Sequence, residues 1–137
     1  MRIAHAVTPF AVTLLACTAA HQPVPPKPPN TDLIDGDYER HAPNGETAIR
    51  FNRDGTFRLA KNRMQFDVEP PLATGTYKVE GDKLTLTNEK GICAEPASEQ
   101  EGVYAIVISK IGIRFTKVTD ACTRRASMDG QTWWRIK

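Results

Sequence analysis

The chain has 137 residues, room for one domain and little more. Charged residues at 25% beside a hydrophobic 40% exclude disorder over most of its length, and a net charge of +2 gives no electrostatic basis for binding nucleic acid. Ten prolines are many for this length, and five of them (Pro23, Pro25, Pro26, Pro28, Pro29) fall in one stretch that cannot join a core.

Residues 1–16 open with Arg2 and continue as an apolar run broken by His5 and Pro9. The run is shorter than the roughly 20 apolar residues that span a bilayer. It has the order of a secretory signal, with a basic start, a short apolar core and then small residues. Its end, Leu14-Leu15-Ala16-Cys17, resembles the lipobox of bacterial lipoproteins. The resemblance implies that residues 1–16 are a removed signal peptide, that Cys17 receives a diacylglyceryl group and that its freed amine is acylated. The membrane lipid is then the first partner, since each buried CH₂ of an acyl chain adds about 0.8 kcal/mol. The other reading is an ordinary signal peptide cut near Ala19 or Ala20, which would discard Cys17. Thr18 rather than Asp after the cysteine implies sorting to the outer membrane in a host that has one.

Residues 17–30 comprise the lipidated cysteine and a proline-rich linker. Proline holds such a segment near polyproline II, and at about 3.1 Å per residue it would set the domain up to roughly 40 Å from the lipid. Pro23 to Pro26 also has PxxP spacing, so a recognition peptide is the alternative to a spacer.

Three cysteines are an odd count. With Cys17 taken by lipid, Cys93 and Cys122 remain as an even pair in an exported chain, where a pair is normally a disulfide. Closing a loop of that length is worth roughly 3 kcal/mol. A metal pair or a redox pair is the alternative, but neither cysteine belongs to a CxxC motif and no histidine lies near either.

From residue 31 to 137 the apolar period is two, the mark of strands with one buried face. Candidate strands cover 35–40, 48–52, 56–60, 74–79, 83–87, 103–108, 111–118 and 131–136. Asp54-Gly55, Glu80-Gly81-Asp82 and Ser109-Lys110 are tight turns between neighbours. Residues 64–69 also alternate, but Pro70-Pro71 ends the segment, so it is an edge or a loop. No segment carries an amphipathic helix of ten residues or more. The fold class is all-β: an antiparallel meander of about eight short strands closing into a barrel, which hides the apolar face and removes both edges. A two-sheet sandwich is the alternative. The expected inward set is Tyr38, Ile49, Phe51, Phe57, Leu59, Tyr77, Leu84, Leu86, Tyr104, Ile106, Ile113, Phe115 and Trp134.

Gly36-Asp37-Tyr38 opens the first strand where lipocalins and their calycin relatives carry Gly-x-Trp. Phe51-x-x-Asp54-Gly55-Thr56-Phe57, Gly75-Thr76-Tyr77-x-Val79-x-Gly81-Asp82-x-Leu84-Thr85-Leu86 and Phe115-x-x-Val118-x-Asp120-x-Cys122-x-Arg124 follow, ending in Trp133-Trp134-Arg135. Together these resemble small bacterial lipocalin-like proteins from about residue 33 to the C-terminus. Tyr38 replaces the tryptophan. The resemblance implies a barrel interior that binds a small apolar ligand, and an arginine of the last strand packed across Tyr38. Arg135 is the candidate for that role, with Arg124 as competitor.

The candidate ligand-binding residues are Tyr38, Tyr77, Tyr104, Arg124 and Trp134. Asp120 with Arg124 and Arg125 could orient an anion, but an Arg–Asp pair that pins the loop is the plainer reading. The expected inward side chains are bulky enough to fill an eight-stranded barrel of short strands, so a packed core competes with a pocket at one mouth. No catalytic constellation is present in the sequence. His41, the domain's one histidine, falls in a loop, and no nucleophile has a base beside it. The acids Asp32, Asp35, Asp37 and Glu39 lack calcium-loop spacing, so no metal or cofactor is expected. The leading expectation is a membrane-anchored extracytoplasmic protein that holds a small apolar or amphipathic ligand. The alternative is an interaction or inhibitor module of the cell envelope whose loops meet a protein partner. Barrel lipoproteins that inhibit lysozymes resemble the chain in size, tether and disulfide, but their inhibitory loop motif is not found in it.

Overall fold

The computed structural model describes Pro9, Cys17 and residues 19–137. Apart from Pro9, the signal segment 1–16 lies outside the described residues. Residues 19–29 run exposed, outside any helix or strand, into a short helix α1 (Asn30–Leu33). Then come strands β1 (Gly36–Ala42), β2 (Gly45–Phe51), β3 (Thr56–Ala60), β4 (Ala73–Glu80), β5 (Lys83–Gly91), β6 (Glu101–Ile108) and β7 (Gly112–Asp120). Helix α2 (Thr123–Ala126) and strand β8 (Thr132–Arg135) finish the chain. Each strand pairs antiparallel with the next, and β8 returns to β1 through Tyr38↔Arg135 and Glu39↔Trp134. The meander is a closed barrel, so the sandwich alternative is set aside.

All eight predicted strands are present, with moved ends. β5 continues past its predicted end at residue 87 to Gly91. The segment Asn88-Glu89-Lys90-Gly91 has no apolar alternation, but its backbone pairs with the start of β4 after a register shift at Thr74/Gly75. Residues 64–69 form no strand. A 3₁₀ turn, Arg63–Gln65, is capped by the Asn62 side chain, which accepts from the Met64 amide at 2.9 Å. Phe66 then packs on Ala48, Ala60 and Ile136, outside the barrel wall.

The core is the inner face of the strands. Twelve of the thirteen side chains expected inside belong to it, Leu59 and Tyr77 being partly buried. The thirteenth is corrected by one residue: Trp133 is 2% exposed and Trp134 is 50% exposed. Residues directly opposite in an antiparallel pair share a face. Trp133 stands opposite inward-facing Ile113, which leaves Trp134 outside, opposite Gly112. Edge-to-face rings tie the core together, Tyr38–Phe51–Tyr77 on one side and Tyr104–Phe115–Trp133 on the other.

A meander puts alternate connections at opposite ends. One end carries the short turns 52–55, 81–82 and 109–111 together with α1. There Ile34 is buried against the core, Leu33 packs beside it, and the Asn30 amide donates to the Gly81 carbonyl at 2.9 Å. The other end carries a short turn at 43–44 and the long connections 61–72, 92–100 and 121–131, with α2 in the last. The first end is plugged; the second is the mouth.

Candidate ligand site at the barrel mouth

Inside the mouth lies a cavity of about 220 Å³. Its walls follow from strand alternation: Ile49, Phe57, Leu59, Leu86 and Trp133 are inward positions of their strands, and Met128, just after α2, covers one side. Among the charged side chains the lining includes three arginines, Arg40, Arg124 and Arg125, and no carboxylate. Their situations differ.

Arg125 is 6% exposed and spends every donor on protein. Its Nε and Nη2 form a fork on Asp120, at 2.7 and 2.8 Å. Nη1 donates to Asn88 Oδ1 at 2.9 Å and to the Gln100 carbonyl at 2.8 Å, and Nη2 also donates to the Glu99 carbonyl at 2.8 Å. The Tyr104 hydroxyl donates to Asp120, and the Cys122 amide reaches the same carboxylate at 3.0 Å. Asp120 has no exposed side-chain surface. Burial pushes its carboxyl up, but the hydrogen bonds from Arg125, Tyr104 and the Cys122 amide together hold it below the usual carboxylate range. Burial also pushes the Tyr104 phenol far above its ordinary value, and the hydrogen bond to Asp120 adds to that.

Next to this pair, the disulfide Cys93–Cys122 ties connection 92–100 to connection 121–131. The pair can form only because β6 has a glycine where it passes. A Cβ on Gly102 would stand 2.5 Å from Asp120 Oδ2 and 2.6 Å from Arg125 Nε. Asp120 and Arg125 therefore pin the loop, with no donor of Arg125 left for a ligand.

Arg40 is different. On β1 it shares the inward face with Tyr38, two residues earlier, and it stands opposite Thr47. Its guanidinium lies 5.8 Å from the centre of the Trp133 ring. Its Nε is buried without a hydrogen-bond partner.

Of the five candidate ligand residues, only Arg124 borders the cavity, as an exposed residue of its rim. Tyr38 is fully buried near the plugged end, where its hydroxyl donates to the Ile34 carbonyl at 2.9 Å. Tyr77 donates to the Asn52 carbonyl at 2.5 Å, at the same end. Tyr104 is enclosed in the Asp120–Arg125 network, and Trp134 faces outward. Arg135, not Arg124, lies across Tyr38: Cζ is 4.7 Å from the ring centre and Nη2 is 2.7 Å from the hydroxyl. The same guanidinium donates to the carbonyls of Leu33 and Asp35 at 2.6 and 3.1 Å. Burial pushes the Tyr38 phenol up to about 12, against the lowering effect of Arg135.

His41 and the acidic run sit outside the barrel wall. His41 is exposed between Glu39 and Glu46, at 3.2 and 3.1 Å. The acidic run is divided among basic neighbours, Asp37 to Arg50 at 2.7 Å and Asp35 to Arg53 at 3.3 Å. The site residue missed by sequence reasoning is Arg40. The signal was available, because the alternation that places Tyr38 inside places Arg40 inside as well. Comparison with known proteins gave no matching family model, no matching curated protein and no matching solved structure.

Proposed function

We propose that this is a lipid-anchored extracytoplasmic binding protein of the lipocalin-like type, which holds one small amphipathic molecule in its mouth cavity without turning it over. The observation that carries the reading is an apolar cavity at the loop-rich end of a barrel whose other end is plugged. At about 220 Å³ it lies between the roughly 150 Å³ that admits benzene and the roughly 300 Å³ at which drug-sized pockets begin, so the ligand is small. The disulfide supports an oxidising compartment. Cys17, an exposed free thiol followed by an exposed segment, suits a lipid attachment point. Arg135 across Tyr38 supports the lipocalin-like assignment.

Labelling of cells with radioactive palmitate tests the anchor: wild type takes up label and Cys17→Ser does not. Native mass spectrometry of the Cys17→Ser protein tests the site. A stoichiometric small adduct, removed by organic extraction, is the expected result. A bare protein mass together with co-purification of a single envelope protein would replace the ligand reading with that of an interaction module.

A further inference from the structure

We propose that the mouth cavity takes a small amphipathic carboxylate, with Arg40 as the ligand of its anionic head. This rests on the reading of the cavity as a ligand site and specifies the chemistry that site selects.

Several other arginines have a carboxylate partner. Arg50 has Asp37, Arg58 has Glu69, Arg53 has Asp35, and Arg125 has Asp120. Arg40 has neither an ion pair nor a hydrogen bond to a side chain among the described residues, although it points into the barrel from β1. Arg58 also has a buried Nε without a partner, but its Nη2 meets Glu69 at 2.8 Å on the outer surface. Nothing acidic lines the cavity to offset Arg40. The charge of Arg125 is already matched by Asp120, so the uncompensated field inside the mouth is positive and belongs to Arg40, with exposed Arg124 adding to it at the rim.

Arg40 is half-buried, and a guanidinium whose Nε is buried without a partner gains from an anion that pairs with it. A carboxylate satisfies it best, because two parallel N–H donors match its two oxygens. Trp133 holds the guanidinium by its ring face, which leaves the edge donors for the incoming anion. Beyond that head, Ile49, Phe57, Leu59 and Leu86 offer only apolar surface, which fits a short aliphatic or phenyl body. A free anion without such a body would lose the apolar wall, and a neutral lipid fragment would leave Arg40 unpaired.

The test uses the full-length Cys17→Ser protein and matched probes: octanoate against 1-octanol, and 3-phenylpropanoate against 3-phenylpropanol. Binding is followed by amide shifts of Ile49, Phe57 and Trp133 and by the fluorescence of Trp133. The expected result is carboxylate binding tighter than alcohol binding by roughly tenfold or more, the effect of one charge-assisted hydrogen bond. Arg40→Gln should remove that preference and leave alcohol binding in place. Arg124→Gln should change it little, and an unchanged amide spectrum elsewhere would establish that both variants are folded. Equal binding of acid and alcohol, or a preference that survives Arg40→Gln, overturns the assignment of the head group while the cavity remains a ligand site. Failure of all four probes to shift any cavity amide overturns both.

Discussion

The two ends of the barrel are closed by opposite means. At the plugged end, short turns and α1 bring the Tyr38 hydroxyl and the Arg135 guanidinium onto backbone carbonyls, which take most of the bonds. Arg135 and Tyr38 both donate to main-chain oxygens of residues 33–35. At the mouth, long connections are held by a disulfide and a buried ion pair whose partners come from β5, β6, β7 and two loops. The difference teaches where each end keeps its risk. Separate bonds to carbonyls fail one at a time. A buried charge pair fails as a whole, because the surviving charge loses its only compensation. The mouth is therefore the more vulnerable end.

The comparison breaks most sharply at Asp120. Asp120→Ala leaves Arg125 buried and alone, so denaturant unfolding should show a loss of about 3–5 kcal/mol. Acid titration sharpens the point. The native Asp120 value lies below the unfolded one, so its contribution is complete above the ordinary carboxylate value and is lost as pH falls through the native value. Between about pH 4 and the acid limb, the wild type should lose stability more steeply than Asp120→Asn.

Tyr38→Phe probes the plugged end and should cost less, about 1 kcal/mol for a neutral hydroxyl with its partners still otherwise bonded. Its signature is at the alkaline side. The native phenol titrates at about 12 against an ordinary 10, so the wild type should lose stability between those values, and the variant should lack that loss. A Tyr38→Phe loss as large as that of Asp120→Ala would abolish the contrast between the ends. The smallest expected change is at Arg40. Arg40→Met keeps the apolar stem and removes the unmatched charge, so the thermal midpoint should stay level or rise slightly. A clear fall would make Arg40 part of the scaffold.

The plugged end was the more legible from sequence, and the physics says why. Asp54-Gly55 and Gly81-Asp82 form their turns from adjacent residues; Asp54, for instance, accepts from the Thr56 amide at 3.0 Å. Alternation likewise found every strand. It failed at Trp133-Trp134, where two like residues in a row give period-two reading no preference and pairing with Ile113 decides. Placing a tyrosine inside was correct for Tyr38, Tyr77 and Tyr104, but their height along the barrel decides what they touch, and height is a property of the whole meander. A pairing of Asp120 with Arg124 or Arg125 was legible because they are near neighbours in the chain; that Arg125 is the partner was not. Nor was the anchorage of Arg125 on Asn88, 37 residues away.

One consequence follows from the position of α1. The chain enters the barrel beneath its plugged end, directly from the exposed segment 19–29. If Cys17 carries lipid, as proposed, the barrel hangs by its sealed base, and the mouth with Arg40 opens away from the bilayer. A molecule reaching that opening comes from the aqueous side, already in solution, rather than sideways out of the leaflet. With that anchor, the barrel would present its opening to dissolved molecules rather than to the bilayer.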